Sequence, residues 1–289
     1  MLVSYCVKCY NQARYIETAL KSAFAQMYQP LEIIICDDAS TDGSDKIIRR
    51  MVDECHSSGG AHRVRYYRNE KNLGNLGNWQ HMCELAQGKL LIKADGDDYS
   101  KPERVARLVS AWVADGKRTK CIYSDGWAVD DARQTLWPIS LNDKFCIGAF
   151  EAYDSSCCFD YPPTVDGLGH DGADDVVYLN RSRMLGPILH VPEPLVYYRQ
   201  GSGETSCCLD YKKMQTRGFL FMEALAKQLL VDLEHIRERL SEEDYRRFQE
   251  EFEFSQRHHG LLRELWLGET LGWRFKAFRS LRKTEKYPL

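Results

Sequence analysis

The sequence has no run of the roughly 18 apolar residues that a membrane-spanning helix needs, and its start, MLVSYCVKCYNQ, turns polar too early for a secretory signal. The expected location is therefore cytoplasmic. A strong charge bias is also missing: 39 Lys and Arg against 42 Asp and Glu leave a formal net charge of −3, so no bulk field points to nucleic acid. There is no G-x-x-x-x-G-K-[ST] loop and no G-x-G-x-x-G after the first apolar run, so phosphates are not expected on a glycine-rich helix start. The 11 cysteines form no framework either, being odd in number and spread over 289 residues. Only Cys6 and Cys9 make a C-x-x-C; an offset of three on a strand sends them to opposite faces, and no second pair completes a zinc site. Reduced thiols are the expected state, with the vicinal pairs Cys157-Cys158 and Cys207-Cys208 incidental.

What the sequence does have is alternation of short apolar runs with amphipathic stretches from residue 2 to about 124. LVSYCVKC reads as a buried strand; Asn11 then offers a cap for a helix with Ile16, Leu20 and Phe24 in its stripe. LEIIICDD is a second strand, followed by a helix carrying Ile47, Ile48, Met51 and Val52. RVRYY, a Gly- and Asn-rich turn into a helix ending near Gly88, and KLLIKA continue the series. Strands separated by helices imply parallel β-α-β units, and ligands of such open sheets gather at the carboxyl ends of the strands. Asp37-Asp38 and Asp95-Gly96-Asp97-Asp98 both lie at such ends. Residues 138 to 170 read as loop-rich, a place for a substrate loop, and the chain beyond Tyr211 reads as charged helix.

Carboxylates crowded at a strand lip repel one another unless a divalent cation shares them, and Mg²⁺ or Mn²⁺ characteristically joins one or two carboxylates to a diphosphate. Taken alone, D-G-D-D is equally an ordinary acidic turn. In order and spacing, however, VSYCVKCYNQARYIETALKSAFAQMYQPLEIIICDDASTDGS, NLGNLGN, KADGDD, ADDVVYLNRSRMLG and PEPLVYYR closely resemble the family-two inverting glycosyltransferases of the GT-A fold, over about residues 2 to 206. The resemblance implies an α/β fold with a mixed sheet flanked by helices, arranged as a GT-A catalytic domain over 1–206 and a helical C-terminal extension over 207–289. Within the domain, 1–98 would bind the nucleotide-sugar and 99–206 the acceptor. It further implies a metal-dependent inverting transfer of a sugar from a nucleoside diphosphate, UDP-linked, to an acceptor hydroxyl in surface polysaccharide or glycolipid synthesis.

The same resemblance assigns roles. Cys9, Tyr10, Asn11 and Asp38 would line the nucleobase, with Asp38 accepting from uracil, and Asn72 and Asn78 match the family's Asn-x-Gly…Asn segment. Lys8-Cys9 stands where relatives carry Pro-Thr. Lys93 would face the diphosphate, Asp95 the ribose or a metal-bound water, and Asp97 the metal, Mn²⁺ or Mg²⁺. The acidic pair Asp174 and Asp175 would open a helix under the acceptor, with Asp175 as general base. Because helix capping lowers a carboxyl pKa, that base role requires burial or the neighbouring Asp174 to offset the shift.

Arg199 matches the family's Tyr-Arg, but the histidine that assists the metal in relatives is replaced by Gly201-Ser202-Gly203, leaving His170 or His190 as candidate substitutes. Trp79, Trp127 and Trp137 are candidate sugar-stacking rings. The stretch 271–289 interleaves aromatics with Arg and Lys and could lie on an anionic inner leaflet, suiting a lipid-linked acceptor, or pack on the chain or a second subunit as a homo-oligomer contact. Two other readings remain: a catalytically silent nucleotide-sugar-binding or assembly subunit, and a sugar-1-phosphate nucleotidyltransferase, whose glycine-rich loop KCYNQARY lacks.

Overall fold

A computed structural model describes residues 1–140, 148–158, 174–201 and 211–267. They cluster into two units, one holding all the described residues up to 201 and the other those from 211 to 267. In the first unit, strands β1 (Val3–Cys9), β2 (Leu31–Asp37), β3 (Arg63–Arg68) and β4 (Leu90–Asp95) are joined by helices α1 (Ile16–Phe24), α2 (Ser44–Ser57) and α3 (Gly74–Leu85). After β4 come β5 (Tyr99–Ser100), α4 (Arg104–Ala114), β6 (Cys121–Val129), β7 (Thr135–Ile139), β8 (Glu151–Asp154), α5 (Asp174–Leu185) and β9 (Ile188–Arg199). The sheet order is β3-β2-β1-β4-β8-β6-β9-β5, with β7 hairpinned onto β6. β1 is parallel to β2 and β4, and β2 to β3, as the crossover argument requires. β8 runs antiparallel between β4 and β6, making the sheet mixed.

Alternation along β1 sorts side chains between the two faces of the sheet. Val3, Tyr5, Val7 and Cys9 join Ile16 and Leu20 of α1, Ile48 and Met51 of α2, and Val105 and Leu108 of α4 in one core. Ser4, Cys6 and Lys8 alternate with them on the opposite face, toward α3 and α5. Between those two helices the buried rings of Trp79, Tyr153 and Tyr178 meet at centroid distances of 5.8–5.9 Å in tilted and edge-on pairs. Each such pair adds about 1 kcal/mol beyond area burial, which fixes α5 against α3 and β8.

Two local expectations change. Asn11 does not cap α1: it adopts a left-handed φ of 51° and its side chain accepts the Thr41 N–H at 2.9 Å, while the helix begins five residues later behind Tyr15. Short polar side chains tolerate that conformation and bond locally. The stretch read as loop-rich contains β8, a strand of four residues too short to show a period, yet central because it bridges β4 and β6. The eight described cysteines are free thiols.

In the second unit α6 (Tyr211–His235) and α7 (Glu242–Leu267) pack together, and Arg263 on α7 pairs with Glu223 on α6 at 2.5 Å. No described helix is long and apolar enough to cross a membrane. Residues 271–289 and His170 lie outside the described residues.

Candidate functional site

The carboxyl ends of β1, β2 and β4 carry the predicted site, but the acids there do different jobs. Asp37 and Asp38 are both buried. Asp37 takes Ser40 N–H at 3.2 Å, the Tyr66 hydroxyl at 3.4 Å and the Arg68 guanidinium at 3.2 Å. Asp38 accepts the Asn69 amide and the Leu73 N–H on Oδ1, each at 2.8 Å, and the Gly74 N–H on Oδ2 at 2.9 Å, so it caps the start of α3.

Asn72 and Asn78 serve the same loop. Asn72 accepts the Gly74 N–H at 2.8 Å and Asn78 accepts the Asn69 amide at 3.0 Å. Cys9 is buried beneath Tyr10, which is exposed at 37%, with Asn11 also exposed beside it. A cleft of about 750 Å³ lined by Arg68, Asn69, Lys71, His81 and Glu84, among others, opens beside this loop.

At the end of β4 the turn Asp95-Gly96-Asp97-Asp98 is pinned by Arg199. The Arg199 backbone N–H donates to Asp98 Oδ1 at 2.7 Å and its Nε to the Asp97 carbonyl at 3.0 Å. Its guanidinium also reaches the carbonyls of Asp130 and Asp131 and lies 4.6 Å from the Tyr15 ring centroid. Asp98 is thereby turned inward and buried, and burial, with Asp97 and Asp95 nearby, raises its pKa well above the carboxylate range. Asp95 and Asp97 remain partly exposed.

The first turn of α5 brings Asp174 and Asp175 to the same face of the sheet as Lys8, Lys93 and Asp95. Asp174 is buried and its Oδ2 lies 2.6 Å from both the Lys8 and the Lys93 amines. Burial raises its pKa, but the two ammonium groups outweigh that and bring it down to about 2. Lys8 also reaches Asp95 Oδ1 at 3.1 Å. Burial opposes the charges of Lys8 and Lys93, yet the acids around them prevail, and both pKa values are raised.

Asp175 behaves in the opposite way to its neighbour. Burial raises its carboxyl pKa, Lys93 opposes, and the Asp174 charge adds to the rise. The two pKa values are pushed apart, one lowered by the lysines and the other raised by burial. Tyr198, on β9, is raised by burial and then by Asp98, Asp95, Asp97 and Asp175. One hydroxyl thus feels both the β4 turn and the start of α5.

Three residues of this cluster escaped sequence reasoning. Lys8 sits in a strand whose seven residues are all buried, one place before its end; a lysine at that point in an apolar run is the signal that could have found it. Glu151 lies under the cluster with Tyr153 donating to its Oε2, and burial, against Lys93 and helped by Asp175, pushes it up to about 8. Gly148 passes so close that a Cβ there would overlap the Lys93 amine and lie 3.3 Å from Asp175 Cβ. No sequence signal marks either.

Lys93 is fully buried and lies 5.7 Å from the Trp79 ring centroid, so its amine is engaged with Asp174 and the aromatic cluster. Trp79 is core, whereas Trp127 is partly exposed and Trp137 is 51% exposed. His190 is stacked on Tyr123 and bonded to Asp125 at 2.8 Å.

Residues 4–147 match the family described as Glycosyl transferase family 2. Rv1520 of Mycobacterium tuberculosis is 27% identical over 244 residues, covering 78% of this chain and 67% of that protein. Among solved structures, TarS of S. aureus (residues 1–349, with UDP-GlcNAc) superposes with a TM-score of 0.63 at 16% identity, over 98% of this chain and 81% of that one. The mannosyltransferase PcManGT of Pyrobaculum calidifontis, in complex with GDP-Man and Mn²⁺, gives 0.57 at 16% identity, over 99% and 76%. These two likenesses concern the fold, and it is the GT-A fold. The family match, the ordered motifs and this sheet agree: the chain belongs to glycosyltransferase family 2 and is a glycosyltransferase.

Proposed function

We propose that the protein transfers a sugar, with inversion, from a UDP-linked donor to an acceptor hydroxyl, with Asp175 as general base and a divalent cation at the Asp95-x-Asp97 turn. The observation that carries this reading is the split acid pair: Asp174 held as an anion on two lysines, Asp175 beside it pushed upward by burial. A carboxylate whose pKa is raised lies closer to the operating pH and takes a hydroxyl proton more effectively. TarS with UDP-GlcNAc and PcManGT with GDP-Man support a nucleotide-sugar donor of this kind.

The residues fit a cation. Asp95 and Asp97 offer hard carboxylate oxygens in a turn braced by Arg199, while Asp98 is turned away into the core. Among the described residues no group of three or more His, Cys, Asp or Glu is arranged as a metal site. A donor set of one or two carboxylates, completed by diphosphate oxygens and water, suits Mg²⁺ or Mn²⁺ rather than a metal needing an all-protein cage. Asp97 would hold the ion and Asp95 a ribose hydroxyl or a bound water. When bound, the cation supplies positive charge to the departing diphosphate.

On the protein's side, Tyr10 offers an exposed ring to the nucleobase, with Asn11 beside it, Cys9 and Asp38 beneath, and Asn72 and Asn78 holding the adjoining loop. Asp175 takes the proton of the acceptor hydroxyl as that oxygen attacks the anomeric carbon; the carbon–oxygen bond to the diphosphate breaks, and configuration inverts. We assign this chemistry to residues 1–206 and a helical extension to 207–289, and place the reaction in surface polysaccharide or glycolipid synthesis at the cytoplasmic side.

The test is a thermal-shift panel of UDP, GDP, dTDP and CMP with and without Mn²⁺, on the native protein and on Asp97→Ala. A Mn²⁺-dependent shift for UDP that the substitution removes is expected. Equal shifts in both proteins would end the metal assignment, and a larger response to GDP would reassign the donor.

A further inference from the structure

Lys8 is the one charged residue of β1, and it faces Asp95 directly across the parallel β1–β4 pairing. Its amine lies 3.1 Å from Asp95 Oδ1 and 2.6 Å from Asp174 Oδ2. Asp95 belongs to the turn assigned to the donor, and Asp174 opens the helix that presents Asp175. A single ammonium, almost completely buried, therefore contacts a carboxylate from each half of the reaction. We propose that Lys8 is a positioning residue that couples the two halves: it shares its charge between Asp95 and Asp174, so that events at the donor turn are felt at the base.

The coupling has a direction. A ligand that draws Asp95 toward itself leaves the Lys8 ammonium more fully to Asp174, and strengthens the anchor that fixes the first turn of α5. Conversely, an ammonium held on Asp95 competes with any cation for that carboxylate. Charge on Lys8 should therefore weaken cation binding at the turn and, acting across Asp174, keep Asp175 from rising further, since Lys8 lowers the Asp175 pKa. The groups that face Asp175 are Lys93 on β4, Glu151 on β8, Tyr198 on β9, Asp174 on its own helix and Lys8 on β1. Of these, Lys8 makes an ion pair with Asp95, while Tyr198 feels Asp95 and Asp175 through space.

This inference rests on the proposed function, so its test reads binding and titration without requiring transfer. Lys8→Met and Lys8→Arg are compared with the native full-length chain. Mn²⁺ binding is followed by electron paramagnetic resonance in the absence of donor, and the Asp175 carboxyl by carbon NMR of aspartate-labelled protein, assigned with Asp175→Asn. In Lys8→Met, Mn²⁺ should bind about threefold or more tightly, and the Asp175 midpoint should rise by about half a pH unit. Lys8→Arg, keeping the charge, should restore both toward native values. A lowered melting temperature with neither quantity moved would leave Lys8 a purely structural ion pair and overturn the proposal. Movement of one quantity without the other would overturn it too, because the coupling is the claim. If the native protein binds no nucleotide and transfers no sugar, the functional reading fails by itself, while the Lys8 shifts remain measurable.

Discussion

Two acid pairs flank the same sheet, one at the end of β2 and one in the first turn of α5, and they are spent differently. Asp37-Asp38 at the end of β2 is satisfied by the local chain: backbone N–H groups, an asparagine, a serine, a tyrosine and Arg68. Asp174-Asp175, with Asp95, is instead held by lysines reaching from β1 and β4. Fixed N–H donors stabilise a carboxylate as an anion and hold a loop in shape. Ammonium groups shared among several acids leave room for one acid to be tuned by the charge on another. The lesson is that D-D is not one motif. The kind of donor that meets it decides whether both acids are fixed in a loop or one of them is raised by the charge of the other.

The sharpest way to break this comparison is to neutralise one acid of each pair. Asp175→Asn should reduce transfer by about a thousandfold, the usual worth of a general base, while UDP still shifts the melting temperature. Single-turnover rates and the nucleotide titration check both halves; near-native transfer would move the base elsewhere. Asp37→Ala should do the reverse. Stranding three hydrogen bonds from Ser40 and Tyr66 at the buried Asp37 site, with the half-exposed Arg68 contact adding little, should cost about 3 kcal/mol of stability, read by denaturant titration. The rate per folded molecule should hardly change, and a large fall in it would bring Asp37 into the reacting site.

Much of this was legible in the sequence, and the reasons for the exceptions are physical. The parallel core was readable because β1 to β4 are apolar runs separated by helices with a clean stripe. The positions of Asp37-Asp38 and of the Asp95–Asp98 turn were readable because strand ends are where ligands gather, whereas Asp174 and Asp175 were reached through the family resemblance alone. Lys8 and Glu151 were not, because both lie within strands and acquire their meaning from partners far along the chain, at Asp174 and Lys93. β8 has four residues and no visible period. Asn11 shows how a cap signal misleads: its side chain bonds Thr41 across the crevice and leaves the helix to start without it.

The lysine-held region should also be sensitive to bulk where the β2 loop is not. Gly148→Ala would press a methyl on the Lys93 amine and crowd Asp175. Because Lys93 is buried and held on Asp174, it has little freedom to yield, and the expected cost is about 1 to 3 kcal/mol with a matching loss of transfer. Equilibrium unfolding beside rate measurements checks this. A variant that is native in both would mean that Gly148 has room to move away from Lys93.

The last expected effect is one on stability alone and lies beneath the pair. Glu151 is raised by burial from 4.5 to about 8. Its contribution to stability is therefore complete below about 4.5 and is lost as the pH climbs through about 8, where the folded chain must hold a proton that the unfolded chain has released. Glu151→Gln mimics the protonated form and removes this dependence. Thermal melts across that range should find the variant and the native protein alike near pH 5 and the variant higher by on the order of ten degrees near pH 9. Parallel curves would show that Glu151 is already ionised at neutral pH. In that case Lys93 would have a third anion to neutralise, less of its charge would reach Asp174, and the contrast with the β2 pair would weaken at its base.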